Sequence, residues 1–397
     1  MREIKLNEVD VIIIGAGASG LMCAIEAGKR NRKTLVIDHA KEPGKKILMS
    51  GGGRCNFTNY SVSSENYISH NPHFCKSALS RYTQYDFLEM VDKYNVSFSE
   101  RDHEQLFCDG SASEILDMLL SECNNGVTFQ MDMTIEKIER LGNHSFRVYT
   151  NRSDYICQSL VIATGGLSIP TSGASPFGYK IAEQFDIKVW PRLPGLVPFT
   201  LSPKDKEQLT PLSGIAVEVV VSNERKSFRE NILFTHRGLS GPAILQMSSY
   251  WQPGEEVTIN LLPDLNLIST LNEQQQQRPK KTVKSVLSEY LPKRLVKTMV
   301  MSELAESPLN TLSQKQFEKI TEQLQQWTIK PNATEGYRTA EVTLGGVDCD
   351  SISSKTMESS KVSGLFFTGE VLDVSGWLGG YNLQWAWSSG WCAGQFV

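Results

Sequence analysis

The chain has 397 residues, 40% hydrophobic and 21% charged, with a formal net charge of −4. That length suits two or three domains with well-buried cores. The slightly acidic balance argues against a nucleic-acid partner, and no apolar run approaches the length of a membrane span.

Eight cysteines, Cys23, Cys55, Cys75, Cys108, Cys123, Cys157, Cys349 and Cys392, are scattered, with no CxxC pair. This excludes a dithiol redox motif and a zinc ribbon, and reads as reduced thiols. Residues 1–10 are mixed and polar and do not lead into a signal-peptide pattern. A cytoplasmic location is expected, with no membrane association.

The first elements are a β-branched strand over residues 9–14, a glycine turn, a helix over 21–30 and a second strand over 34–37. Together they predict a right-handed βαβ start. The turn is Gly15-Ala16-Gly17-Ala18-Ser19-Gly20, a GxGxxG between strand and helix. Gly15 permits the tight turn, Gly17 lets amides approach a pyrophosphate, and Gly20 lets helix and strand pack closely. Asp38 ends the second strand and is placed to bind a ribose hydroxyl. Strand, helix and acid in register make this a dinucleotide site for either FAD or NAD.

A glycine loop follows, with Gly51, Gly52 and Gly53 in series. Residues 72–94 read as helical, and 109–123 as a helix with Ser113 as N-cap. Residues 127–150 alternate like the strands of a meander. Residues 159–163 form an apolar strand ending in Thr164-Gly165. A proline-rich stretch, 191–195, marks a domain boundary. Strand-like runs at 197–201, 215–222, 231–234 and 256–262 predict a small β-barrel or sheet. Residues 273–278, with four glutamines, read as a linker or helix start. Residues 282–327 read as helical. At and just before this stretch, Lys280, Lys281, Lys284, Lys293, Arg294 and Lys297 read as a solvated face.

Two later features favour FAD. Residues 160–165 have the form of the strand and turn beneath the dinucleotide in FAD folds. Leu365-Phe366-Phe367-Thr368-Gly369-Glu370 delivers a carboxylate, here Glu370, to the hydroxyls of a ribityl chain. The stretch Gly376 to Leu383 leads into a last helix over 382–393. Amides there can favour negative charge at the pyrimidine edge of a reduced flavin.

Three stretches carry a family resemblance. They are Lys45 to Asn59 around the glycine loop, Phe234 to Leu245, and Thr368 to Ala386. They resemble the BaiN-like family of NAD(P)/FAD-dependent oxidoreductases, from Gly15 to Gly390. The resemblance implies an α/β fold of the two-dinucleotide-fold type: an FAD-binding Rossmann-like domain with an inserted small β-barrel and a small helical domain. The implied boundaries are 1–192 with 336–397 for FAD binding, 193–270 with 326–335 for the barrel, and 271–325 for the helical insert. The implied FAD contacts are Gly15, Ala16, Gly17, Ala18, Ser19, Gly20, Asp38, His39, Lys46, Ser50, Gly51, Gly52, Gly53, Arg54, Cys55, Asn56, Ile135, Thr164, Gly165, Gly369, Glu370, Gly380, Tyr381, Asn382 and Leu383. Ile135 fits a strand whose backbone touches the adenine. No metal is implied.

The chain thus reads as an FAD-dependent oxidoreductase acting on a small organic substrate. The single GxGxxG leaves no second nucleotide fold, so NAD(P)H would bind only transiently. The alternatives are a substrate-reduced oxidase that uses O₂, and an FAD-containing protein that binds RNA or another protein through Lys280, Lys281 and Lys284. His236 and Arg237, before a glycine turn, are catalytic candidates, the other reading of the histidine being a turn-stabilising one. Cys55 reads as structural. Substrate identity and oligomeric state are left open.

Overall fold

Val11–Ile14 is buried along its whole length, as are Thr34–Ile37 and Ser159–Ile162. Apolar runs buried on both faces belong inside a parallel sheet covered by helices. The computed structural model describes residues 6–123, 126–142 and 145–397 and places them so. The five-stranded parallel sheet has the order Leu365–Phe367, Ser159–Ile162, Val11–Ile14, Thr34–Ile37, Val127–Gln130. Residues 1–5 and 143–144, parts of the expected polar N-terminal segment and of the meander, lie outside the described residues.

This sheet belongs to the first of two units, Met1–Leu193 with Val342–Val397; the second is Pro194–Glu341. In the first unit the helix Ala18–Lys29 packs along the C-terminal helix Tyr381–Gly394. The approach is close enough that a Cβ on Gly390 would sit 2.3 Å from the Ser19 carbonyl oxygen. Trp385 and Trp387 fill the core beside it.

Three expectations shift in this unit. Val127–Gln130 pairs with Thr34–Ile37 in the parallel sheet, whereas the meander is made by Ile135–Leu141, Ser145–Thr150 and Asp154–Cys157. Four residues are too few for alternation to tell a meander from a sheet edge. Residues 72–94 form two helices, Phe74–Arg81 and Gln84–Lys93. Thr83 and Asp86 close a capping box that starts the second. The helix Ala112–Glu122 is capped by Ser111, not Ser113, because Glu114 reaches back to the Ser111 amide at 3.0 Å.

The second unit is built on a seven-stranded sheet. Its order is Trp327–Ile329, Val257–Asn260, Ala216–Ser222, Ser227–Phe234, Gly238–Ser240, Phe199–Thr200, Ala333–Thr334, all antiparallel. Helices Leu267–Gln277, Val283–Leu287, Lys293–Met299 and Gln314–Gln325 follow. The four glutamines finish the first of these, and Gln275 bonds the carbonyls of Leu309 and Leu312. Among the described residues no helix is long and apolar enough to cross a membrane.

Candidate functional site

The GxGxxG turn packs tightly on one side and stays open on the other. A Cβ on Gly15 would meet the Ala163 carbonyl oxygen at 2.3 Å, and one on Gly20 the Gly15 oxygen at 1.9 Å. A Cβ on Gly17 would meet nothing within 4 Å. The amides of Gly17, Ala18, Ser19 and Gly20 have no acceptor among the described residues, and they crown the helix Ala18–Lys29. Unpaired amides at the positive end of a helix dipole form an anion site.

Asp38 stands where expected and also braces the turn. Its Oδ2 accepts from the Ala16 amide and its Oδ1 from the Ala40 amide, both at 2.8 Å. Each oxygen keeps a lone pair for a ribose hydroxyl. His39, Lys41, Lys45, Asp132 and Gly173 line an adjoining cleft of about 550 Å³. The Met133 amide donates to the Asp38 carbonyl, which brings Ile135, two residues on, to the same edge.

The glycine loop is strongly left-handed: φ is 57°, 66° and 86° at Gly51, Gly52 and Gly53, and 45° at Cys55. Glycine makes the run cheap, and the Cys55 amide closes it on the Ser50 carbonyl at 3.0 Å. The Cys55 side chain points into the core. Burial pushes its thiol up to about 12, against a small opposing bond with Ser50. This is a packed thiol and not a reactive thiolate. Arg54 is exposed. The Asn56 carboxamide, oriented by its neighbours, donates to the carbonyls of Leu106 and Thr58 and accepts from the Gly380 amide at 3.1 Å. It ties the glycine loop to the start of the C-terminal helix.

Gly165 and Gly369 both have positive φ, at the ends of neighbouring parallel strands. The adjacent hydroxyls of Thr164 and Thr368 are buried without a partner among the described residues. Glu370 lies in a network that sequence reading did not show. Lys46 Nζ is 2.7 Å from Glu370 Oε2 and 2.8 Å from Ser168 Oγ. Ser168 Oγ and the Thr343 amide donate to Glu370 Oε1 at 3.0 and 2.9 Å. Burial alone would raise the Glu370 carboxyl, but the Lys46 charge and these bonds outweigh it and hold it below the usual range. Thr343 Oγ1 also accepts from the amides of Leu167 and Ser168. The signal available in sequence was the Gly345-Gly346 pair after it. A Cβ at Gly345 would lie 2.1 Å from the Pro191 oxygen.

At the C-terminal helix, Gly380 has φ 93°, and Asn382 bonds back to Gly376 and Trp377 through its side chain. The amides of Tyr381, Asn382 and Leu383 are left for another partner. The first of them, at Tyr381, lies nine residues of helix, about 14 Å, from the Gly390–Ser19 contact. Two helix N-termini with unpaired amides thus lie within one unit, linked by the packing of their helices. A second missed pair is His70, whose Nδ1 and amide both meet Asp373 Oδ2 at 2.8 Å while its ring stacks on Trp190. Burial raises the Asp373 carboxyl more than its bonds to His70 lower it.

His236 and Arg237 belong to the second unit. Both are exposed on a turn closed by Thr235, and Arg237 pairs with Glu335 at 3.2 Å.

The donor set fits FAD. An open glycine turn with unpaired amides matches a pyrophosphate, Asp38 and the cleft match an adenosine, and unpartnered hydroxyls and amides continue toward the C-terminal helix.

Comparison with known proteins agrees on the cofactor class and corrects the partner. A family model described as HI0933-like protein Rossmann domain matches residues 9–396. A ribosomal RNA dihydrouridine synthase of Escherichia coli (strain K12) is 53% identical over 393 residues, covering 98% of each chain. A 3-dehydro-bile acid delta(4,6)-reductase of Clostridium scindens is 27% identical over 96% of this chain and 97% of its own. A solved 3-ketosteroid-delta4-(5alpha)-dehydrogenase from Rhodococcus jostii shares the fold at 14% identity. Its TM-score is 0.50, over 98% of this chain and 97% of that one. The expectation of a small-molecule substrate and no nucleic acid is overturned by the ribosomal RNA relative. Net charge sums the whole surface and does not report a local one. The BaiN-like resemblance holds at the level of the wider family, with the bile-acid reductase a distant relative. The chain belongs to the HI0933-like family and is an FAD-binding, Rossmann-fold oxidoreductase.

Proposed function

We propose that this protein reduces a uridine base of ribosomal RNA to dihydrouridine, with FAD held in the first unit and NAD(P)H as a transient electron donor. The carrying observation is the 53% identity, end to end, with a ribosomal RNA dihydrouridine synthase. The names of that relative and of the bile-acid reductase both describe adding hydrogen across a carbon–carbon double bond. This favours a reductase over an oxidase. The cytoplasm, where the RNA is, is the location that follows.

In this reading Gly15 to Gly20 hold the pyrophosphate, and Asp38 and His39 the adenosine, with the Ile135 backbone at the adenine. Ser50 to Asn56, Thr164, Gly165 and Gly369 flank the ribityl chain and ring. Lys46 and Glu370 fix the wall between them. FAD bound there supplies hydride equivalents. The amides of Tyr381, Asn382 and Leu383 favour negative charge at the pyrimidine edge. The chain's task is to exclude water and hold the base.

The test is an anaerobic titration of the purified protein with NADPH and NADH, followed by unmodified ribosomal RNA. Bleaching of a flavin spectrum by a nucleotide and its return on adding RNA supports the reading. A flavin that bleaches but is not reoxidised by RNA counts against it.

A further inference from the structure

The basic residues singled out in sequence divide once their partners are seen. Lys281 pairs with Glu289 and Lys284 with Glu306, so two of the three lysines first considered for RNA are neutralised. A different group is not. Lys293, Arg294 and Lys297 are exposed along Lys293–Met299, which buries Leu295, Val296 and Met299. Lys204 and Lys206 are exposed on Pro203–Leu209. Both helices pack on the turn Thr210–Leu212, and Arg294 donates to the Ser213 carbonyl at its end. None of the five cations has an acidic partner within ion-pair distance among the described residues.

The acids on these two helices are Asp205 and Glu207, while Glu289, tied to Lys281, and Glu303 lie four residues before and after the second helix. Asp205 is engaged with the Ser202 hydroxyl at 2.7 Å. On the two helices five cations against two acids leave an excess of three positive charges, two once Glu303 is counted, on a chain whose net charge is −4. Exposed apolar side chains give an independent indication. Within the second unit the large hydrophobics that stand exposed are Tyr290 and Met301, each 45%. They flank the basic helix at either end. Unpaired cations beside an exposed aromatic are what RNA asks for: charge for phosphates and a flat face for an unstacked base.

We propose that this face of the second unit, Lys204, Lys206, Lys293, Arg294 and Lys297 with Tyr290, is the surface that holds the phosphodiester backbone of the RNA substrate. The inference rests on the ribosomal RNA reading above and gives that reading a place on the molecule. The cations neutralise phosphates and release counterions, so they set affinity and its salt dependence, while Tyr290 stacks on a base.

The experiment uses the full-length FAD-loaded protein and unmodified transcripts of the host's ribosomal RNAs. Affinity is measured from about 50 to about 200 mM KCl. The triple variant K293Q/R294Q/K297Q is expected to lose at least about tenfold in affinity at low salt, with the slope of log affinity against log salt shallower by about two to three units. Its FAD content and its bleaching by NAD(P)H stay as in the parent. Y290A lowers affinity with the slope unchanged. K281Q/K284Q, whose lysines already have partners, shifts the slope by less than one unit. K204Q/K206Q repeats the test on a second helix in case the triple variant is poorly folded. Triple and double variants that keep the parent's affinity and slope overturn the surface while leaving the RNA reading intact. A parent protein that retains no ribosomal RNA at low salt overturns both.

Discussion

Lys46 Nζ stands 2.7 Å from Glu370 Oε2, although 324 residues separate them in sequence. The contact fastens the segment after the first βα unit to the end of the last parallel strand, where Ser168 and Thr343 complete the ring of donors. Lys46 is 35% exposed and Glu370 18%, so solvent screens the pair only in part.

Breaking the pair should be costly and sensitive to acid. Because the Glu370 carboxyl is held below its usual range, its contribution is present above about pH 4 and disappears as pH falls through the native value. E370Q should lower stability by about 2 kcal/mol at neutral pH, less than the ~3–5 of a fully buried broken pair. Denaturant midpoints measured against pH check this. The two proteins should converge at low pH, and a constant offset would contradict the linkage.

Asp373 should behave in the opposite sense. Its carboxyl is raised by burial, so its ionised form is disfavoured by folding, and stability is lost as pH rises through the native value. D373N keeps an acceptor for His70 and removes a buried charge. Its melting temperature at neutral pH should equal or exceed that of the parent, in contrast to E370Q.

The two glycines of the first turn should separate folding from cofactor binding. G17V places its Cβ where nothing beyond its own chain neighbours lies within 4 Å, so the fold should persist while FAD affinity falls at least about tenfold. G20A drives a Cβ to 1.9 Å from the Gly15 oxygen and should destabilise the fold by about 1–3 kcal/mol. Flavin absorbance per protein and thermal melting report the two effects independently. Stoichiometric FAD in folded G17V would remove the pyrophosphate from this turn.

Cys55 should be chemically silent. With its thiol raised to about 12, almost no thiolate exists at pH 8. Native protein should not be alkylated at Cys55, and C55A should keep the flavin and its reduction by NAD(P)H. Rapid alkylation of Cys55 with loss of activity would restore it as a candidate nucleophile.

What the sequence made legible were features written locally. The GxGxxG, Asp38 and the three consecutive glycines each impose a backbone geometry on their own neighbourhood. Each stands in the structure at a turn, a strand end or a left-handed loop. Ser168 and His70 carry no such signature, and Thr343 only the glycine pair that follows it. Their roles arise only when strands far apart in the chain are brought edge to edge, and a lone serine, threonine or histidine announces nothing of that. Overall charge is a poor argument against nucleic acid for a related reason. A net charge of −4 averages over paired and unpaired groups alike, and only the structure separates Lys281 and Lys284, which have acids beside them, from Lys293 and Lys297, which do not.

The most direct measurement is mass spectrometry of nucleosides from unmodified ribosomal RNA incubated with the purified protein and NAD(P)H. The account predicts dihydrouridine, a uridine heavier by two hydrogens, that forms only when protein and nucleotide are both present and is lost in G17V. Ribosomal RNA that is bound while the flavin is reduced, yet yields no dihydrouridine, would contradict it.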